Sequence, residues 1–228
     1  MRILGLHIRY SQNAGDRWSS PLEYFEFPGH DVVMGDMRDP LASGGDAIVY
    51  GGGSITASPD FRKWPGKTIA WGVGHHVRKE PWQDEMRAEH ERAASLCDLY
   101  FPRDCVPGFE DRWAPCASCM SPVFDEETKP AHAVVRYSAA RRIDVSNGID
   151  PHMDNESGSI ENAIRFLASG EKVVTSSYHG AYWAGLLGRQ VEVVPWGSKF
   201  EYVPQIGLEA CRESNRKAHR QVLAFLNG

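Results

Sequence analysis

Short apolar segments that end in glycine or in polar turns alternate along this chain with segments of helical periodicity. This alternation restricts the fold more than any other feature, because it is typical of βαβ units, in which helices connect parallel strands. In the first half of the chain, the predicted strands are Arg2–His7, 31–34, 47–50, 67–71 and 98–101. In the second half, the predicted strands are 132–137, 142–146, 172–175 and 190–194.

Three segments have apolar residues at steps of three and four, which predicts helices. They lie at 82–97, 160–168 and 208–226. Ser159 is expected to cap the second helix at its N-terminus, and Gly170 is expected to end it.

A turn-rich stretch at residues 102–130, which contains five prolines, interrupts the alternation. Such a stretch is typical of a connection between domains or of a structured loop near a cleft. We therefore predict an α/β fold of two small Rossmann-like lobes with parallel sheets and a cleft between them. The lobes are expected at residues 1–125 and 126–228, and the second includes the terminal helix.

The composition argues against several classes of protein. The 228 residues carry a formal net charge of −5, which does not favour nucleic-acid binding. No segment approaches the ~18 consecutive apolar residues of a transmembrane helix. His7 and Arg9 come too early for the apolar region of a signal peptide, so we expect a cytoplasmic protein.

Five cysteines, an odd number, do not predict a disulfide framework. Cys116 and Cys119 have the spacing of half a zinc site, but no second pair of cysteines or histidines completes four ligands. Buried, reduced thiols are therefore favoured, and we predict no metal site.

Polar and glycine residues follow the predicted strands in both halves of the chain. In an open parallel sheet, ligands bind beyond the carboxyl ends of the strands, where helix N-termini offer N–H groups to anions. The candidate binding residues at these positions are Gly52, Gly53, Gly74, His75, Arg103, Ser176, Ser177, Gly180 and Lys199. This composition suits an anionic substrate, although tight turns and a surface ion pair between Arg103 and Asp104 would give the same residues.

His179 is the candidate catalytic residue. It follows a predicted strand through a Thr-Ser-Ser turn and begins a helix. The positive end of the helix dipole lowers the pKa of a histidine at this position, so the neutral ring can accept a proton near pH 7.

Several of these motifs resemble the polysaccharide pyruvyl transferase family. The segment VVTSSYHGA at 173–181, followed by a strand at 191–194 and then by Lys199, Phe200 and Tyr202, resembles its carboxyl-terminal signature. In the amino-terminal half, the similar pieces are Asn13, Gly15 and Asp16 of an early turn, the strand and glycines at 48–53, the glycine turn at 72–74, and the Arg103–Asp104 pair. The order of these pieces, from Asn13 to Leu208, is more specific than any one of them.

The resemblance implies a GT-B-like enzyme that transfers pyruvate from phosphoenolpyruvate to a sugar of a cell-surface glycan or its precursor, forming a cyclic ketal. His179 would move the proton, and Arg103 and Lys199 would bind the donor. Asn13, Gly15 and Asp16 join the substrate-binding residues on the same basis. Phosphoenolpyruvate would be a substrate, and no cofactor is implied.

The sequence leaves two other functions open. Many family members carry arginine where this chain has Ser177, so a GT-B glycosyltransferase with a nucleotide-sugar donor is an alternative. A noncatalytic glycan-binding relative, with tryptophan and tyrosine side chains stacked on sugars, is another. Under the leading interpretation, a membrane-bound glycolipid is one of the acceptors that the sequence leaves open.

Overall fold

The computed structural model describes residues 1–38, 44–53, 64–77, 82–156 and 158–228. It contains two parallel sheets, which confirms the predicted α/β class. The five-stranded sheet has the order β2-β1-β3-β4-β5. Its strands are β1 (Arg2–His7), β2 (Asp31–Asp36), β3 (Ala47–Gly51), β4 (Lys67–Val73) and β5 (Leu99–Pro102).

The second sheet has four strands in the order β7-β6-β8-β9. They are β6 (His132–Ser138), β7 (His152–Asp154), β8 (Gly170–Thr175) and β9 (Gln190–Val193). The strand predicted at 142–146 is wrong, because only an isolated antiparallel bridge joins Ala139 to Ile143 there. The Asp144 carboxylate instead accepts hydrogen bonds from the backbone N–H and the hydroxyl of Ser146, each at 2.8 Å. Such local bonds compete with a strand.

Within the described residues, five α-helices connect or flank the strands: α1 (Ala14–Arg17), α2 (Trp82–Ala94), α3 (Ile160–Ala168), α4 (Tyr178–Leu186) and α5 (Leu208–Asn227). Ser159 caps α3 as predicted, because its hydroxyl accepts the N–H of Asn162 at 3.2 Å. Gly170 does not end this helix but begins β8. Ser169 is the C-terminal cap, and its hydroxyl donates to the carbonyl of Phe166 at 2.6 Å.

Hydrophobic clusters on both sheets combine segments from the two halves of the chain. The terminal helix α5 packs Ala218, Val222 and Leu226 against the first sheet, in one cluster with residues such as Ile69 and Trp71. In turn, four buried side chains of the turn-rich stretch join the core of the second sheet, namely Cys116, Cys119, Val123 and Phe124. The division of the chain into two lobes at residue 125 stays a prediction. Residues after this position pack on the first sheet, and residues before it pack on the second.

The cysteine pair belongs to the second core. Cys116 and Cys119 are buried, and neither is in a disulfide. The sulfur of Cys116 accepts the hydroxyl of Ser118 at 3.2 Å, and the sulfur of Cys119 accepts the side-chain amide of Asn215 at 3.4 Å. The pair therefore packs at the contact between the turn-rich stretch and α5.

None of the helices within the described ranges combines the length and the hydrophobicity that crossing a bilayer requires.

Candidate functional site

A cavity of about 340 Å³ is lined by residues that follow the carboxyl ends of strands in both sheets. Its walls come from the segments that follow β1, β4 and β5 in the first sheet, and from those that follow all four strands of the second. Six of the predicted site residues line it: Asn13, Asp16, Arg103, Ser177, His179 and Lys199. Residues from distant parts of the sequence therefore meet in one site.

His179 lies at the N-terminal end of α4, on the wall of this cavity. Ser177 caps the helix, because its hydroxyl accepts the N–H of Gly180 at 3.3 Å. The imidazole ring packs so closely on α1 that a Cβ atom at Gly15 would overlap it. Among the described residues, nothing forms a hydrogen bond with the Nε2 atom of this ring.

The surroundings of His179 keep its ring neutral. Burial lowers its pKa well below the usual value, and the positive charges of Arg103 and Lys199 lower it further. A neutral imidazole can accept a proton from a substrate hydroxyl, which is the chemistry of a general base.

Arg103 is fully buried at the end of β5, beside the cavity. Its Nε atom donates to Asp104 at 2.9 Å, and its guanidinium carbon lies 3.9 Å from the centre of the Tyr178 ring. Burial opposes the charge, but the Asp104 carboxylate outweighs it and raises the pKa of Arg103. Its Nη2 atom has no hydrogen-bond partner within the described part of the chain. A buried cation with an unused donor is suited to bind an anion.

Gly74, another predicted site residue, does not line the cavity but makes room for this arginine. A Cβ atom at position 74 would overlap the guanidinium group of Arg103.

A buried polar network contacts the Asp104 carboxylate of the Arg103–Asp104 pair. The Asp104 carboxylate accepts the backbone N–H of His75 at 2.9 Å and lies 3.7 Å from Nε2 of His90. The Tyr100 hydroxyl is within hydrogen-bond distance of both histidines, at 2.7 Å from Nδ1 of His90 and 3.1 Å from Nε2 of His75. His75, a predicted binding residue, therefore supports the site from the core and does not line the cavity.

The burial of His75 predicts a pH-dependent stability. Burial and the neighbouring His90 lower the pKa of His75 from 6.5 to about 4. Between these values the unfolded chain binds a proton that the folded chain excludes, so the free energy of unfolding rises with pH from about 4 to 6.5. His75→Gln is expected to reduce this slope by up to about 1.4 kcal/mol per pH unit, as measured by urea unfolding at several pH values. The exposed His132→Gln serves as the control, and equal slopes in both variants would contradict the prediction.

Lys199 lies on a 3₁₀ helix (Ser198–Tyr202) that contacts the first half of the chain. The hydroxyl of Ser198 accepts the backbone N–H of Val77 at 2.9 Å, and the backbone N–H of Ser198 donates to the Val77 carbonyl at 3.2 Å. The Lys199 ammonium lies 4.0 Å from the centre of the Trp196 ring. Burial, followed by the charge of Arg103, lowers the pKa of Lys199 to about 7.

The early turn forms the wall that faces these cations. Asn13 caps α1, with its side-chain carbonyl accepting the N–H of Gly15 at 3.0 Å and its amide donating to Asp16 at 2.9 Å. The backbone N–H of Ala14 donates to the Asn155 carbonyl at 2.8 Å, which connects the turn to the end of β7. Burial raises the pKa of Asp16, and the nearby cations oppose this shift.

Four other predicted residues shape the site without lining it. Gly52 and Gly53 have left-handed φ angles of 62° and 76°, and a Cβ atom at Gly53 would lie 3.8 Å from the Asp16 carboxylate. The Ser176 hydroxyl donates to the Ile143 carbonyl at 2.5 Å and accepts the N–H of Ala139 at 2.9 Å, so it is used within the protein. The fourth residue is Gly180, where a Cβ atom would overlap the side chains of Thr175 and Tyr137.

Sequence reasoning did not select several residues that line the cavity: Tyr178, Trp196, Asn155 and Glu156. Tyr178 precedes the candidate catalytic histidine, so its place in the motif was a usable signal. Asn155 and Glu156 follow β7, a strand of three residues that is too short for its pattern to be recognised.

No protein-family model matches this chain, and a search of curated proteins finds no significant match.

The arrangement combines a neutral imidazole with two cations in one cavity. The cations can bind phosphate or carboxylate groups, and the backbone N–H groups of Tyr178 and His179 belong to the first turn of α4, where anions are favoured. Such a site can hold a small anionic substrate and move a proton to or from it.

Proposed function

We propose that this chain is a polysaccharide pyruvyl transferase-like enzyme, which transfers pyruvate from phosphoenolpyruvate to two hydroxyls of a sugar in a cell-surface glycan or its precursor. The observation that carries the proposal is the meeting of His179, Arg103 and Lys199 in one cavity. These are the residues to which the sequence motifs assign proton transfer and donor binding. Because phosphoenolpyruvate is a cytoplasmic metabolite, the proposal also places the reaction in the cytoplasm.

A GT-B-like arrangement of two lobes is part of the proposal. Both parallel sheets direct their carboxyl ends to the same cavity. The terminal helix α5 returns to pack on the first sheet, and the Trp71 indole donates to the side chain of Asn215 on that helix at 3.0 Å. These contacts support two units that enclose a shared site.

The reaction can be written with the groups in the cavity. Protonation of the methylene carbon of phosphoenolpyruvate makes its second carbon electron-poor, and a sugar hydroxyl attacks there while a base removes the hydroxyl proton. The bond from that carbon to the phosphate oxygen then breaks, and the second hydroxyl closes the ketal ring. Arg103 and Lys199 would bind the phosphate and the carboxylate, and His179 would accept the proton of the attacking hydroxyl.

The direct test is the release of inorganic phosphate from phosphoenolpyruvate in the presence of sugar acceptors. The proposal expects release that depends on both substrates and yields a sugar that is heavier by one cyclic pyruvate ketal in mass spectrometry. Phosphate release without an acceptor, or none with a broad panel of free and lipid-linked sugars, would contradict it.

Arg103→Lys tests donor binding. Lysine keeps the charge but loses the planar fork of donors that fits a phosphate or a carboxylate. We expect the KM for phosphoenolpyruvate to rise about 10- to 100-fold, because a charged hydrogen bond to the donor is lost. The measurement is steady-state kinetics on a variant whose circular dichroism spectrum matches that of the wild type. Arg165→Lys, at an exposed ion pair with Glu126, is the control. An unchanged KM in Arg103→Lys would assign this arginine to structure alone.

A glycosyltransferase with a nucleotide-sugar donor is the second candidate. Arg141 and Arg142 also line the cavity, and Ser177 stands where a second donor-binding arginine is expected. Arg142 is exposed, with its guanidinium carbon 5.0 Å from the centre of the Trp196 ring. This candidate predicts that a nucleotide sugar raises the melting temperature while phosphoenolpyruvate does not.

A further inference from the structure

The proposed reaction needs an acid as well as a base. The methylene carbon of the donor must receive a proton before or while the sugar hydroxyl attacks. His179 is suited to the opposite task, because its buried ring lies beside two cations and stays neutral. Another group in the cavity must therefore carry the proton that the donor takes up.

Lys199 is a candidate for this task. Its side chain lines the same cavity as His179 and Arg103. It forms no salt bridge with any carboxylate of the described residues, and its ammonium is held over the rings of Trp196 and Phe200, at 4.0 and 5.4 Å from their centres. An ammonium group against aromatic rings keeps its N–H bonds available for a substrate.

The charged groups around Lys199 come from three segments. Arg103 and Asp104 follow β5, Arg142 follows β6, Asp16 lies on α1, and burial itself disfavours the ammonium form. Two arginines near one amine favour loss of its proton, and two carboxylates oppose it. The Ser198–Val77 hydrogen bonds fix the lysine where both halves of the chain meet.

We propose that Lys199 is a second catalytic residue, whose ammonium gives its proton to the methylene carbon of the donor while His179 takes the proton of the attacking hydroxyl. This inference rests on the proposed function. The electrons of the carbon–carbon double bond form the new C–H bond, and an N–H bond of Lys199 breaks. When phosphate leaves, it takes the proton from His179, and the second hydroxyl returns a proton to Lys199 as the ring closes. Both residues then regain their starting states.

The acid–base properties of Lys199 suit this role. Its pKa of about 7 leaves comparable amounts of ammonium and amine at neutral pH, so it can give and regain a proton within one turnover. A lysine that only binds an anion would instead remain charged throughout the reaction.

Lys199→Arg separates the two roles. Arginine keeps the positive charge but does not give up a proton at neutral pH. We expect the KM for phosphoenolpyruvate to stay within about threefold of wild type and kcat to fall about 100-fold or more. The proposal predicts that kcat of the wild type falls as the pH rises above about 7, and this alkaline limb should be absent in Lys199→Arg. Lys217→Arg, at an exposed lysine on α5, is the control for the substitution itself.

A wild-type kcat in Lys199→Arg, or a raised KM with kcat retained, would overturn this role and leave the proposed function standing. Absence of transfer by the wild-type protein with every acceptor would overturn the proposed function and the role together. A second measurement does not need turnover: acylation by acetic anhydride, followed by mass spectrometry at several pH values, should give Lys199 a labelling midpoint near 7. A midpoint above about 9 would overturn the role, because such an amine does not release its proton at neutral pH.

Discussion

Replacement of His179 by asparagine is expected to leave the fold intact and to lower kcat for pyruvyl transfer about 100-fold or more, the loss typical of a removed general base. Asparagine is polar and smaller than histidine, so it fits the space beside Gly15 without accepting the hydroxyl proton. The measurement is phosphate release at saturating substrates, with circular dichroism and urea unfolding to establish that the variant is folded.

The matched control for this variant is His132→Asn. His132 lies at the exposed start of β6, at the amino end of the same sheet whose carboxyl end faces the cavity. We expect wild-type kcat from this control. Near-wild-type turnover in His179→Asn would mean that this histidine takes no part in the mechanism. Equal losses of kcat in both variants would mean that a disturbed second sheet, and not the lost base, lowers the activity.

The central strands could be predicted because burial gives them continuous apolar sequences. β3 is buried along its whole length, and β1 is buried at every position after Arg2. Strands covered on both faces lose the alternation of polar and apolar residues, so their bounds are close to the predicted ones. The edge strand β7 was missed, because its three residues are at best partly buried and form no apolar segment.

Site residues could be predicted from the sequence where they follow the end of a recognisable strand. His179 and Arg103 could be selected because each lies directly beyond the carboxyl end of a strand, and parallel strands bring such residues to one edge. Their supports could not be selected in this way. The carboxylate that fixes Arg103 is its neighbour in sequence, but the residues that contact this carboxylate, His75 and His90, lie after β4 and on α2 and meet it only in the fold.

The sequence also could not separate binding glycines from glycines that make space. Gly15 and Gly74 were predicted to bind substrate, but their missing side chains are what allow the His179 ring and the Arg103 guanidinium group to fit. This use depends on which side chain packs over each glycine, and residues 164 and 29 positions away cannot be paired from one sequence.

The largest effect on stability is expected from Asp104→Asn. Asp104 and Arg103 are both fully buried, and the substitution leaves the guanidinium charge without its carboxylate in the core. Loss of one partner of a buried ion pair typically costs about 3–5 kcal/mol of unfolding free energy. We therefore expect a decrease of that size in urea unfolding at pH 7. Asp125→Asn, which removes an exposed carboxylate paired with the partly buried Arg212, should cost about 0–1 kcal/mol.

The pH dependence of the difference in unfolding free energy between wild type and Asp104→Asn shows whether the lost charge causes it. Burial raises the pKa of Asp104, but the charge of Arg103 outweighs burial and lowers it from 3.8 to about 2. A carboxylate with a lowered pKa stabilises the folded state above its unfolded pKa, and this contribution is lost as the pH falls towards the folded value. The gap between wild type and Asp104→Asn should therefore be constant from pH 7 to about 5 and narrow between about 4 and 2. A gap that persists unchanged at pH 3 would mean that lost packing, not lost charge, destabilises the variant, and Arg103 would then not depend on its neighbour for compensation.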